Sequence, residues 1–329
     1  MNRLRNQFAI TAAFAIALTL PQPASFARTP QGGIGPARTT LAIEIEGAFA
    51  GLASFVDGGH PTAAVINEPA GFGGIIKKHI GAIHYDEITI TCGAGMSEDF
   101  YKWVGHWVEG VTVPRNGSIV ELDERGTVLR KLDFFNAIIS EVAFPALDAS
   151  SKDPAQMTVK FSPESTRRKT GGSRYDFPAS SDKTTWPAAN FRLRIGGVLI
   201  PASRIDAITI KRSFQPKPPA GEPNDQFPQQ HLVFSDLAVT LAESHARFLY
   251  DWFEDFVIRG NSGDDKELRG SLEYFDQRGA VLFTLTFDHM GIFNLKPDRT
   301  ESIGNDFPKV KAQVYVEIVS FNIGAAVPS

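Results

Sequence analysis

One cysteine, Cys92, is the chain's whole supply of thiol, so no disulfide can form within it. The residue reads as a small buried hydrophobe or, alternatively, as one half of an intermolecular bridge. The signatures of common catalytic sites are also missing. There is no G-x-S-x-G elbow, and Cys92 alone supports no Cys/His/Asn arrangement. Histidines stand at 60, 79, 84, 106, 231, 245 and 289, none of them in H-E-x-x-H or another close pair on a helix. His79 and His84, the nearest pair, read as solvated. The stretch GFGGIIKK (71–78) lacks the G-K-[S/T] ending of a phosphate loop and leads into a strand pattern. A strong charge imbalance is lacking too: 33 Lys and Arg against 37 Asp and Glu argues against nucleic acid or an anionic membrane as partner. No catalytic, cofactor-binding or metal-ligating residue is therefore expected, and the chain does not read as an enzyme.

Long apolar runs are absent after the first. That one, Phe8 to Leu20, follows Arg3 and Arg5 and precedes the small residues Ser25 and Ala27, the pattern of a cleaved export signal over residues 1–27. No later stretch is long enough to cross a bilayer as a helix. The expected location is periplasmic or extracellular, or a virion or tube-like particle if the start is not a working signal. A Gly/Pro-rich leader over 28–40 follows.

What is present is a globular composition, 43% hydrophobic and 21% charged, and a repeat. LAIEIEG from Leu41 is echoed by FRLRIGG from Phe191, and YDEITIT from Tyr85 by FSDLAVT from Phe234. LDERGTVLRKLDF from Leu122 is echoed by FDQRGAVLFTLTF from Phe275. The offset is 149 or 150 in the first half and 153 after the helix. Alternating apolar residues predict strands at 41–47, 51–56, 62–66, 85–91, 117–122, 127–135, 137–144 and 155–162 in the first copy. In the second they fall at 191–200, 203–213, 231–241, 268–275, 280–287, 290–295 and 310–321. The domains are then copy one over 41–165, a polar linker over 166–190 that holds the basic run TRRKTGGSR, copy two over 191–323, and a tail over 324–329.

Each copy has one helix. In FYKWVGHWVEG, Phe100, Trp103, Val104, Trp107 and Val108 recur at i, i+3, i+4, i+7 and i+8, a single apolar stripe. Ser97 is the expected cap and Gly110 the stop. The second copy repeats the stripe with Leu249, Trp252, Phe253, Phe256 and Val257, with Ser244 as the expected cap. The stripe reads as core rather than as an aromatic binding box, because His106 falls off it. The fold class is mainly β: two tandem β-barrels or sandwiches, each with one flanking α-helix.

The succession Tyr101 and Trp103 on a helix, the Asp123 to Gly126 turn, Phe135-Asn136-Ala137, Pro145, Leu147 to Ser151 and Met157 to Phe161 resembles the contractile-tail tube proteins of phages and their cellular relatives. The resemblance covers residues 85–165 well and 41–84 loosely. In copy two it keeps the helix and the Asp276 to Gly279 turn. It implies a structural protein whose partners are further copies of itself, in stacked six-domain rings, with other tail-like or secretion-apparatus components beyond. Two fused copies suggest three chains per ring, joined through sheet edges, with Glu44 and Arg194 as a complementary pair across alternating seams. The Pro/Gly-rich loops NEPAGFGGIIKKH and QPKPPAGEPNDQFPQQ would reach towards the next ring. The alternative is an exported β-scaffold that binds a small ligand or a protein through its loops.

Overall fold

The structure, a computed structural model, describes residues 39–70, 75–178, 186–214, 230–298 and 308–324. The expected signal, almost all of the leader, the tail beyond Gly324 and most of the second Pro-rich loop lie outside those residues. In the first copy the elements are β1 (Thr40–Ile45), β2 (Ala48–Asp57), β3 (Pro61–Ala70), β4 (Ile75–Tyr85), β5 (Ile88–Cys92), α1 (Glu98–Val108), β6 (Arg115–Leu122), β7 (Val128–Phe144), β8 (Leu147–Asp148), β9 (Met157–Ser162) and β10 (Ser165–Thr170). The second has β11 (Phe191–Ile195), β12 (Val198–Ile200), β13 (Ala202–Ile205), β14 (Ile208–Phe214), β15 (Gln230–Phe234), β16 (Leu237–Ala242), α2 (Arg247–Phe253), β17 (Leu268–Phe275), β18 (Val281–Asp298) and β19 (Lys309–Ile323).

Strict alternation puts every second residue of β5 (ITITC) and β9 (MTVKFS) inside, and such strands close into a barrel. Its order is β7-β6-β1-β2-β5-β9, and β9 returns to pair with β7. β7 serves both ends of the barrel, pairing with β6 by its first half and with β9 by its second. Two separate strands, 127–135 and 137–144, were expected here. They are one, because Asn136 takes the left-handed conformation (φ 47°) and kinks the strand without breaking it. Its backbone N–H donates to Asn116 Oδ1 at 2.9 Å and its amide to Glu164 at 2.6 Å.

The second copy forms a curled sheet, β12-β11-β17-β18-β19-β16-β13. β12 and β13 are separated only by Pro201, which lacks the N–H needed to carry a ladder through, and the sheet stays a curled half-barrel whose two ends are linked by the chain and not by pairing. His289 (φ 54°) repeats the kink of Asn136, and 280–287 and 290–295 therefore fuse into β18. The expected strand 203–213 instead divides at Asp206 and Ala207 into β13 and β14, which join different sheets.

The repeat holds down to single hydrogen bonds. Glu46-Gly47 (φ 50° and 79°) and Gly196-Gly197 (φ 57° and 78°) make the same hairpin turn, with both central residues at positive φ. Asp123 Oδ1 accepts from the N–H of Arg125 and Thr127, and Asp276 Oδ1 from those of Arg278 and Ala280. Gly171 donates to Leu129 at 3.2 Å, and Gly324 to Leu282 at 2.9 Å.

The expected linker is not one throughout. β10 continues β9 along β7 in unbroken register, Ile138 opposite Ser162 and Phe135 opposite Ser165. Tyr175 and Phe177 then cover the barrel's outer face over Phe49, and Trp186 is buried. The basic run is polar because β10 is a solvent-facing strand. One apolar cluster runs through both copies, and the described residues form one compact unit.

Candidate functional site

Large aromatic side chains gather at the seam where the two copies meet. α1 forms because Ser97 accepts from the Phe100 N–H at 3.3 Å, Glu98 and Asp99 meet the positive end of its dipole, and Gly110 (φ 83°) stops it. Phe100, Trp103 and Trp107 are buried on one face, with Trp103 Nε1 donating to Val113 O at 2.9 Å. His106 is exposed. A second face of α1 carries Tyr101, whose ring lies 6.1 Å from Phe283 and 6.2 Å from Phe321 of the second copy. Gly105 lets the helix approach, since a Cβ there would stand 3.3 Å from the Phe321 ring. Phe144, Trp186 and Tyr274 complete the cluster around Phe283 at 5.9, 5.0 and 4.5 Å.

Strands cross the seam in both directions. β14 of copy two adds to β7 of copy one, Ile208 opposite Phe144 and Lys211 opposite Glu141, while β8 of copy one adds to β13 of copy two. Lys211 meets Glu141 at 3.1 Å, as does Lys160. Partial burial works against the Glu141 carboxylate, yet hydrogen bonds from the two lysines outweigh it and hold its pKa below the usual carboxylate range. Arg212 reaches across to Thr112 Oγ1 at 2.8 Å and lies over the Trp107 ring at 5.9 Å.

α2 is built on the same plan with different caps. The position of Ser97 is taken by Ala246, which has no side-chain oxygen, and Ser244 sits in a 3₁₀ turn and caps nothing. The helix is short and widens into a π-turn over Glu254–Ile258, closed by Arg259 N–H to Glu254 O at 2.9 Å. Leu249, Trp252 and Phe256 stay buried, but Val257, expected in the stripe, is 38% exposed.

Glu44 and Arg194 are not brought together. Glu44 lies on the outer face of β1, bonded to Lys131 Nζ at 2.6 Å, in the wall of a cleft of about 460 Å³ with Lys169, Arg174 and Tyr175. Asp133 holds Lys169 at 2.6 Å, so both lysines of the cleft are paired with carboxylates. Arg194 is exposed on β11. His79 pairs with Glu68 at 3.2 Å on the β3–β4 hairpin, where a loop was expected.

The sequence did not suggest a third grouping. Glu267, His289 and Glu317 offer ligand atoms all within 4.8 Å of one another. Glu267 accepts from Tyr315 at 2.6 Å, and its other oxygen lies 2.7 Å from His289 Nδ1, so both oxygens are engaged without a cation. The same corner of copy one is closed by Asn136 and Glu164. The group therefore serves as a strand corner. The hydrogen bond to Glu267 raises the His289 pKa above its ordinary 6.5. A raised folded-state value stabilises fully below the unfolded pKa and is lost as pH rises through the folded one. His289→Asn, the copy-one residue type, should therefore lower the melting midpoint at pH values below the ordinary 6.5 and lose that deficit as pH rises through the raised folded-state value. Thermal scans across that range check it, and a pH-independent difference would refute it.

Residues 73–166 match the family model described as T4-like virus tail tube protein gp19, which spans β4 to the start of β10. This is the family that the residues from Tyr101 to Phe161 resemble. Among solved structures, the anti-feeding prophage cap (AFP tube terminating cap) is similar at 18% identity, over 44% of this chain and 95% of its own, with a TM-score of 0.35. The PVC sheath-tube complex of an extracellular contractile injection system, in the extended state, is similar at 19% over 43% and 94%, TM-score 0.35. Hcp1 from Flavobacterium johnsoniae is similar at 13% over 41% and 99%, TM-score 0.25. No curated protein matches.

Proposed function

We propose that this chain, with its tail-tube segment at residues 73–166, is a structural subunit that assembles through its sheet edges into rings or tubes, three chains supplying the six barrels of one ring. One observation carries the reading: the two copies already meet by strand addition, β14 on β7 and β8 on β13, and a seam of that kind can be repeated from chain to chain. In this reading the repeating units are copies 41–165 and 191–323, joined through 166–190. The partners are further copies and other tail-like or secretion-apparatus components, with no role for nucleic acid or catalysis. No helix of the described residues is long and apolar enough to cross a membrane. Residues 1–27, as an export signal, direct the assembly outside the cytoplasm; without that role it belongs to a virion or tube-like particle.

Light scattering and electron microscopy of the full chain test this: rings or tubes of three-chain units are expected, and a monodisperse monomer at high concentration would refute it. Glu44 is already held by Lys131, so Arg194 is the cleaner half of the charged pair to probe. Arg194→Glu should shift the assembly towards smaller species in sedimentation, and an unchanged distribution would remove Arg194 from the seam.

A further inference from the structure

Several components of the internal seam have counterparts that face solvent. Tyr101 is 9% exposed against Phe283 and Phe321, while its α2 counterpart Tyr250 is 40% exposed. Val108 is 2% exposed and its counterpart Val257 is 38%. Leu232 of the β14–β15 hairpin packs on the core, whereas Ile83, at the same place in the β3–β4 hairpin, is 58% exposed. The hairpins are true counterparts: Asp86 donates to His60 O at 3.0 Å as Ser235 donates to Thr209 O at 2.9 Å. A long two-stranded ribbon with exposed isoleucines needs a surface to pack on.

We infer that chains join head to tail by repeating the internal seam. The α2 face and the Asn294–Pro297 edge of β18 in one chain would receive residues 59–62 and the β7–β10 surface of a second copy. This rests on the assembly reading above and goes beyond it by fixing the surfaces and their chemistry. In the internal seam Lys211 stands opposite Glu141, and the equivalent residues are Thr62 and Asn294. Among the described residues, β18 pairs with β19 on one side over 294–298, and no strand pairs its other side there. The substitutions between copies change the character of the contact. Where Phe283 and Phe321 receive α1, copy one offers Arg130 and Arg168, both exposed. Where Gly105 approaches, α2 carries Glu254, flanked by Asp251 and Asp255. The aromatic contact within the chain becomes an acidic helix on a basic strand surface between chains.

Three of these charges are held by exposed neighbours: Glu254 pairs with Arg259 at 3.6 Å, Asp251 with Arg247 at 3.7 Å, and Arg168 touches His60. Such exposed pairs contribute little and exchange readily. Arg130 is held more firmly, by the half-buried Glu121 at 2.6 Å. Thr209 directs its backbone to Ser235, so its neighbour Ile210 turns towards β7. Pro61, in Ile210's place, brings no N–H to the new edge, and Pro297 replaces Phe144. Prolines on free edges suppress unspecific strand addition. The seam between chains is therefore the weaker and more salt-sensitive of the two.

The test is light scattering of the full chain at low and high salt, with Arg168→Glu, Glu254→Arg and the double exchange. Each single variant should lose about tenfold or more in assembly constant, the double exchange should regain most of it, and salt should dissolve the wild-type assembly. A second readout places cysteines at Thr62 and Asn294. Oxidation with diamide should link chains covalently only when both are present. Cys92 stays silent, because burial pushes its thiol up to about 12. Wild-type assemblies that ignore the charge reversals, or that do not cross-link, overturn this seam and leave the assembly reading standing. A wild-type chain that stays monomeric at low salt overturns both.

Discussion

Phe283→Ala is expected to cost about 3–5 kcal/mol and to lower the stability of both copies in one transition. The ring is 1% exposed and touches Tyr101 and Phe144 of copy one, Trp186 of the connection, and Tyr274 and Phe321 of copy two. Removing it leaves a cavity that neither barrel can close alone, since each wall belongs to a different element. Urea denaturation followed by far-ultraviolet circular dichroism and by tryptophan fluorescence should give superimposable curves, both shifted to lower midpoint. Trp103 and Trp107 report on copy one and Trp252 on copy two. Two separated transitions, with only the second copy affected, would mean that the copies fold as independent domains.

The second large effect comes from a glycine retained in both copies. At Gly117 a Cβ would collide with the Glu44 carbonyl oxygen and the Phe134 ring, both under 3.0 Å. At Gly270, its counterpart, the carbonyl oxygen of Arg194 is 2.9 Å away and the other contact is the flexible Met290 sulfur at 2.7 Å. Gly117→Ala should cost about 2–3 kcal/mol, because backbone and a packed ring must both move. Gly270→Ala should cost about 1 kcal/mol, because a thioether can turn aside. Equal losses in chemical denaturation would show that the carbonyl contact, common to both, dominates.

Local pattern revealed much of this architecture. The Asp123 and Asp276 turns, the apolar stripes of both helices and the strand alternation each depend on a few neighbouring residues, and all are written in short stretches. The exchange of strands between copies is not, because β14 reads as a half-buried strand wherever it pairs. Asn136 and His289 read as breaks between strands, because nothing in a linear pattern separates a left-handed kink from a chain end. β10 was hidden by its charge: Arg167, Arg168 and Lys169 look like a linker, and only the register with β7 makes them a strand. Ser244 misled because serine caps are common, whereas the position aligned with Ser97 is Ala246.

The crossing of β14 and β8 also bears on inheritance. Copies that trade strands cannot be separated by a later gene fission without leaving each half an unpaired edge. Once fused in this way, the two barrels were free to drift apart in their side chains while remaining obliged to occur in equal number. In the head-to-tail ring proposed above, the assembly would alternate two chemical faces and repeat only at every second barrel. The corner closed by Asn136 in one barrel and by His289 in its neighbour is one mark of that alternation.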